Sequence, residues 1–230
     1  SFALTITAQA QIKLAKKLYE KKHSITCATF SKDGNVIATG GMDNNIFLWK
    51  TNSDKSYLKL EGLSNFPISL VFSNNGKKLI SGGKDEKVTI WDVESGKMLT
   101  SLKGHKGTVR GVAVSPDDKM IASASDDKTI KLWKLSDGSL IKEFKGHSEE
   151  VESVSFSPDG KKILSSSFDK TIKEWDVESG NIIKSVNAHT KLIRYATYSP
   201  DGQFLVSCGD DKKINFWDAK GELDNNILVH

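Results

Sequence analysis

The stretch GHKGTVRGVAVSPDDKMIASASDDKTIKLWKLSDGSLIKEFKGH, residues 104–147, decides how the chain folds. Val109 to Val114 alternates apolar and polar side chains, the period of a strand with one buried face. Ser115-Pro116-Asp117-Asp118 then supplies turn formers and Met120 to Ser123 resumes extended character, so this half predicts a hairpin. A second tight connection, Ala124-Ser125-Asp126-Asp127-Lys128, leads into Thr129-Ile130-Lys131-Leu132-Trp133, which alternates again. A fourth run, Leu140 to Phe144, follows Asp137-Gly138. The unit therefore predicts four short antiparallel strands.

The unit recurs along the chain. All five tryptophans, Trp49, Trp91, Trp133, Trp175 and Trp217, stand 42 residues apart. Pro116, Pro158 and Pro200 keep the same interval, with Lys32 and Asn74 in the two earlier slots and Pro67 outside the register. A four-stranded sheet of this size leaves an apolar face uncovered unless a neighbouring unit packs on it. Sheets stacked radially solve that problem, so the expected fold is all-β, a β-propeller of four-stranded antiparallel blades in one domain. The blades are read as residues 23–62, 63–104, 105–146, 147–188 and 189–230, with 1–22 as outer strands of a preceding, incomplete blade. Residues 8–20 can be read as such a strand or as an amphipathic helix carrying Ala8, Ile12, Ala15 and Tyr19 on one face. Five blades and a half do not make an even ring. The expectation is a six- or seven-bladed disc, completed by further sequence of the same chain or by a partner.

Thirty-three basic and 29 acidic side chains leave a net charge of +4, scattered rather than gathered into a tail. Arg110 and Arg194 are the two arginines. Lysine lacks the planar fork that reads bases, so sequence-specific nucleic-acid binding is not expected. Cys27 and Cys208 sit in alternating runs without CxxC spacing and read as small buried hydrophobes in a reducing compartment. No run reaches the 18 apolar residues of a membrane-spanning helix, and Ser1 to Ala10 lacks the basic region of a signal peptide. A cytoplasmic protein without membrane insertion is expected.

Gly104-His105, Ser123, Asp127 and Trp133, together with Gly146-His147, Ser165, Asp169 and Trp175, resemble the WD-repeat family. Trp91-Asp92, Trp175-Asp176 and Trp217-Asp218 reproduce its naming dipeptide, whereas Trp49-Lys50 and Trp133-Lys134 depart from it. The resemblance spans about residues 12–229. It implies a hydrogen-bonded tetrad of loop His, second-strand Ser or Thr, turn Asp and third-strand Trp. Three sets are complete: His105, Ser123, Asp127 and Trp133; His147, Ser165, Asp169 and Trp175; and His189, Ser207, Asp211 and Trp217, with Ala188 in place of the preceding Gly. The first unit offers His23, Thr39, Asp43 and Trp49, but His23 precedes its Trp by 26 residues rather than 28, which leaves its membership open. The second has Ser81, Asp85 and Trp91 with Leu63 in the histidine slot.

A Ser, a His and an Asp invite a hydrolase reading. Catalysis needs one exposed nucleophile beside an oxyanion hole, whereas this set recurs blade after blade behind an indole, so it reads as structural and the chain as no enzyme. No catalytic, cofactor-binding or metal-binding residue is assigned. The histidines of the three complete sets stand 42 residues apart with no nearby Cys, and Asn75-Gly76-Lys77 is a turn lacking the rest of a phosphate-binding loop.

The resemblance implies a non-catalytic scaffold that binds proteins or peptides on the propeller surface, within a larger protein or complex. Two other readings stay open: a ligand-sensing or autoinhibitory module of a multidomain signalling ATPase, kinase or protease, and, last, a hydrolase. The candidate partner-binding positions lie on loops at the tetrad-histidine end. They are Met42 in the first unit, Phe66, Ile68 and Lys84 in the second, and Arg110 and Asp126 in the third. The fourth gives Glu150, Glu152 and Phe168, and the fifth Leu192, Arg194 and Asp210. Phe66, Phe168, Arg110 and Arg194 rank first, because aromatic residues and Arg are enriched at interface hot spots.

Overall fold

Alternation along the chain becomes twenty strands in five four-stranded antiparallel meanders, in a computed structural model that describes residues 23–218 and 222–228. The first sheet holds β1 (Ile25–Phe30), β2 (Val36–Gly41), β3 (Ile46–Lys50) and β4 (Ser56–Leu60). The second holds β5 (Pro67–Phe72), β6 (Lys78–Gly83), β7 (Val88–Asp92) and β8 (Met98–Leu102). In the third are β9 (Val109–Val114), β10 (Met120–Ser125), β11 (Thr129–Lys134) and β12 (Leu140–Lys145). The fourth comprises β13 (Val151–Phe156), β14 (Lys162–Ser167), β15 (Thr171–Asp176) and β16 (Ile182–Asn187). The fifth comprises β17 (Ile193–Tyr198), β18 (Phe204–Gly209), β19 (Lys213–Asp218) and β20 (Leu223–Leu228). The half-blade and the strand-or-helix segment read at residues 1–22, and residues 229–230 of the fifth blade, lie outside the described residues.

Each seam between sheets is an apolar core. Ile80, Val88, Ile90 and Leu102 of the second sheet meet Val109, Val112, Ile121 and Trp133 of the third, and Ala122, Ile130, Leu132 and Phe144 of the third meet Val151, Val154, Ile163 and Trp175 of the fourth. Each of these tryptophans thus faces the preceding blade. At roughly 25 cal/mol per Å² of apolar area, this repeated burial is the largest favourable contribution to the stack. The innermost strands β1, β5, β9, β13 and β17 all border one cavity of about 910 Å³. Interior faces are sealed, whereas Ile25 and Phe30 on β1 are 57% and 63% exposed. Both cysteines are free and half-buried where the sequence reading expects buried ones; Cys208 lies on the face of the fifth sheet that no described blade covers. Burial pushes the Cys27 thiol up to about 11.

The hairpin turns are locked alike. Ser115 Oγ donates to Asp117 Oδ1 at 2.7 Å and accepts from the Met120 amide at 2.9 Å, and Ser31, Ser73, Ser157 and Ser199 donate to the equivalent Asp or Asn.

Two register shifts recur in the sheets. Between first and second strands the pairing runs Val109 with Ser125 and then Gly111 with Ala124, which leaves Arg110 as an extra, unpaired residue. The same bulge isolates Thr26, Ile68, Glu152 and Arg194 in the other sheets. A second bulge between third and fourth strands isolates Ile141 in the third sheet.

Candidate functional site

The site is built on a stiff base. In the third blade His105 Nδ1 lies 2.8 Å from Asp127, His105 Nε2 lies 2.7 Å from Ser123 Oγ, and Trp133 Nε1 donates to that same Oγ at 2.8 Å. One protonation pattern satisfies every group: indole N–H to hydroxyl, hydroxyl to Nε2, and Nδ1–H to carboxylate. His147, Ser165, Asp169 and Trp175 repeat it at 2.7, 2.8 and 2.8 Å, and His189, Ser207, Asp211 and Trp217 at 2.8, 2.8 and 2.9 Å. His23 also joins, 2.9 Å from Asp43 and 3.2 Å from Thr39, despite its shorter interval. Trp49 Nε1 donates to Thr39 at 2.9 Å.

The second blade retains Trp91 Nε1 donating to Ser81 at 2.9 Å, with Leu63 packed in the first seam. Its Asp85 carboxyl is pushed above the usual range by burial, only partly offset by the Lys87 amide. Burial acts upward on Asp127 and Asp169 too. There the bonds from His105 and Thr129, and from His147 and Thr171, outweigh it and hold both carboxyls well below the usual range. Burial lowers the pKa of His147. Ser123, Ser165 and Ser207 are at most 1% exposed, so no substrate reaches these hydroxyls.

Close packing crowds the residue before two of the histidines. A Cβ on Gly104 would stand 2.9 Å from Trp133 Cη2. Gly146 has φ +156 and would stand 3.1 Å from Trp175 Cη2.

Above this base the bulged residues converge. Arg110 Nε and Nη2 donate to Asp126 at 2.6 and 3.1 Å, and Arg194 Nε and Nη2 to Asp210 at 2.7 and 2.7 Å. Phe168 lies between these pairs, its ring centre 5.9 Å from the Arg110 guanidinium carbon and 5.1 Å from that of Arg194. Glu152 Oε2 lies 3.7 Å from Arg110 Nε, is buried and accepts no hydrogen bond. Burial raises the Glu152 carboxyl, and both arginines pull it back in part. The Asp126 bond raises the Arg110 guanidinium further. Glu150 adds a further negative charge within reach of Arg110. Arg110, Glu152 and Arg194 also border the axial cavity.

The remaining candidates divide. Lys84 Nζ sits 5.2 Å over the Phe66 ring as a separate pair in the second blade. Ile68 borders the axial cavity. Met42 is 63% exposed, and the Leu192 carbonyl accepts from the Asp210 amide at 2.9 Å. Sequence reasoning names the arginines and aspartates singly and misses their pairing. A signal for it exists: residues 110, 152 and 194 read Arg, Glu, Arg, and residues 126, 168 and 210 read Asp, Phe, Asp, at the 42-residue period. Sequence reasoning also misses Thr129 and Thr171, whose hydroxyls each donate to the tetrad Asp at 2.6 Å.

Among the described residues no group of three or more His, Cys, Asp or Glu is arranged to hold a metal ion, and no helix is long and apolar enough to cross a membrane. The family model described as WD domain, G-beta repeat matches residues 13–50, 56–92, 96–134, 138–176 and 180–218. The chain belongs to the WD-repeat family. From the second match onward each segment starts at the fourth strand of one sheet and finishes on the third of the next, so each of these four repeats staples two blades. WD40 repeats generally mediate protein–protein interactions and their domains are typically non-catalytic scaffolds. A search of curated proteins finds no significant match to the chain.

Proposed function

We propose that the chain is a non-catalytic scaffold whose partner docks on the tetrad-histidine end of the third, fourth and fifth blades. The observation that supports it is Phe168 braced between two arginines, each held by its own aspartate across 16 residues of chain. Long side chains normally lose rotamer freedom on binding, and here the bidentate pairs have already spent it, so little entropy remains to be lost. Aromatic and Arg side chains on a rigid support are the composition of an interaction hot spot. The partner is a protein or peptide of a cytoplasmic complex, and the disc is completed by further sequence of the same chain or by that partner. Affinity capture with the intact chain, read by mass spectrometry, tests the proposal. Phe168→Ala combined with Arg194→Glu is expected to abolish capture while circular dichroism stays that of the parent; full retention of every captured partner would overturn it.

A further inference from the structure

On the opposite edge of the blades, where the strand 1–2 and strand 3–4 turns lie, the seam between the second and third sheets opens into a groove of about 540 Å³. Its apolar lining is Met120, Leu135 and Ile141, and Ile141, the bulged residue of β12, is 41% exposed. Lys77, Lys78, Lys119 and Lys134 line it against two carboxylates, Asp117 and Asp118.

Those two carboxylates are engaged. Asp118 accepts from the amides of Asn74 and Asn75 at 2.7 and 2.9 Å and from Asn74 Nδ2 at 2.9 Å. Asp117 accepts from Ser115 Oγ at 2.7 Å and the Lys119 amide at 3.1 Å, with Lys119 Nζ 3.5 Å away. Lys78 Nζ donates to the Leu135 carbonyl at 2.9 Å, while Lys77, Lys119 and Lys134 are exposed.

The next seam shows that this is not a property of every blade. Shifted by 42 residues, the same positions hold Lys119, Lys161 and Lys162 against Asp117, Asp159, Asp176 and Glu178. Lys142 of this chain also reaches across that seam, its Nζ donating to the carbonyls of Val177 and Glu178. At the basic seam the residue corresponding to Lys142 is Thr100, too short to do so. Lys134 stands where Asp92 and Asp176 stand in the second and fourth blades, and those aspartates cap their turns by accepting the Ser95 and Ser179 amides at 2.8 and 2.7 Å. The departure from the family dipeptide at Trp133-Lys134 therefore places a cation at an open, apolar-floored groove.

We infer that this groove docks an acidic peptide segment of a partner protein, one large apolar side chain resting on Met120 and Ile141 and flanking carboxylates meeting Lys77, Lys119 and Lys134. Charge complementarity sets the sign of the partner, and the apolar floor distinguishes a peptide from a bare polyanion. The surface lies at the far end of the blades from Phe168 and does not depend on the function proposed for that site.

The test is fluorescence anisotropy of the intact chain with a labelled peptide, Asp-Glu-Asp-Leu-Phe-Asp-Glu-Asp-Glu. Lys119→Glu with Lys134→Glu is expected to weaken binding by about tenfold or more, as does raised salt, and Ile141→Ser to weaken it without altering the melting curve. Phe168→Ala with Arg194→Glu is expected to leave it unchanged. Absence of binding, binding that survives the double charge reversal, or equal binding of poly-glutamate or a single-stranded oligonucleotide would overturn the inference.

Discussion

The second and third blades share strand order, tryptophan and serine, yet their turn aspartates live in opposite electrostatic settings. In the third, Asp127 receives His105, the Thr129 hydroxyl at 2.6 Å and the Lys106 amide at 3.0 Å. In the second, Leu63 and Lys87 stand in the slots of His105 and Thr129, and burial pushes Asp85 upward. The tryptophan–serine bond persists in both, at 2.9 and 2.8 Å. The indole and its seam therefore build the blade, and the histidine–aspartate half is an added brace that one blade does without.

The largest effect on this comparison comes from the part both blades share. Trp133→Ala and Trp91→Ala should each destabilise by about 3–5 kcal/mol, through lost apolar area and a cavity. Urea denaturation measures this, and a loss confined to one blade would show that the indoles are not equivalent.

The aspartates separate the blades in sign. A lowered folded-state pKa means that Asp127 stabilises above its unfolded pKa and that this is lost as pH falls toward the folded value. A raised one means that Asp85 favours the fold at low pH and that this is lost as pH rises through its folded pKa. Asp127→Asn is accordingly expected to destabilise at neutral pH by about 1–3 kcal/mol, an effect that shrinks on acidification. Asp85→Asn is expected to be neutral or stabilising at neutral pH, with its advantage disappearing in acid. Melting temperatures of both variants between pH 3 and pH 7 check this, and parallel profiles would show that the two aspartates share one electrostatic setting.

The smallest effect is expected from transplanting the brace. Leu63→His should restore a partner to Asp85 and slow amide exchange in β6 and β7 relative to β10 and β11, with a stability gain of about 1 kcal/mol at most. Unchanged exchange protection would mean that the histidine loop of the second blade does not bring residue 63 to its aspartate.

Much of this architecture is legible in the amino-acid sequence. Alternation marks Val109 to Val114 as a strand because one face is buried, and the 42-residue interval of the tryptophans marks stacked sheets because a single blade cannot cover its own faces. His23 is less legible, since spacing measures chain length and not the path of a loop. The site is less legible still. Arg110 and Asp126 look like two separate surface residues, and only the bulge between Val109 and Gly111 explains why the arginine leaves the ladder to meet its aspartate.

The repeat itself, its strands, its indoles and the chemistry of its turns are determined locally, by patterning and side-chain type, and so are written in the order of residues. Which side chains share a surface is decided by the bulges within each sheet and by the packing of one blade on another. Phe168 finds Arg110 and Arg194 across two seams, and Lys134 and Lys77 border one groove across a third, because stacking brings residues of neighbouring blades onto one surface, a relation that no local pattern encodes.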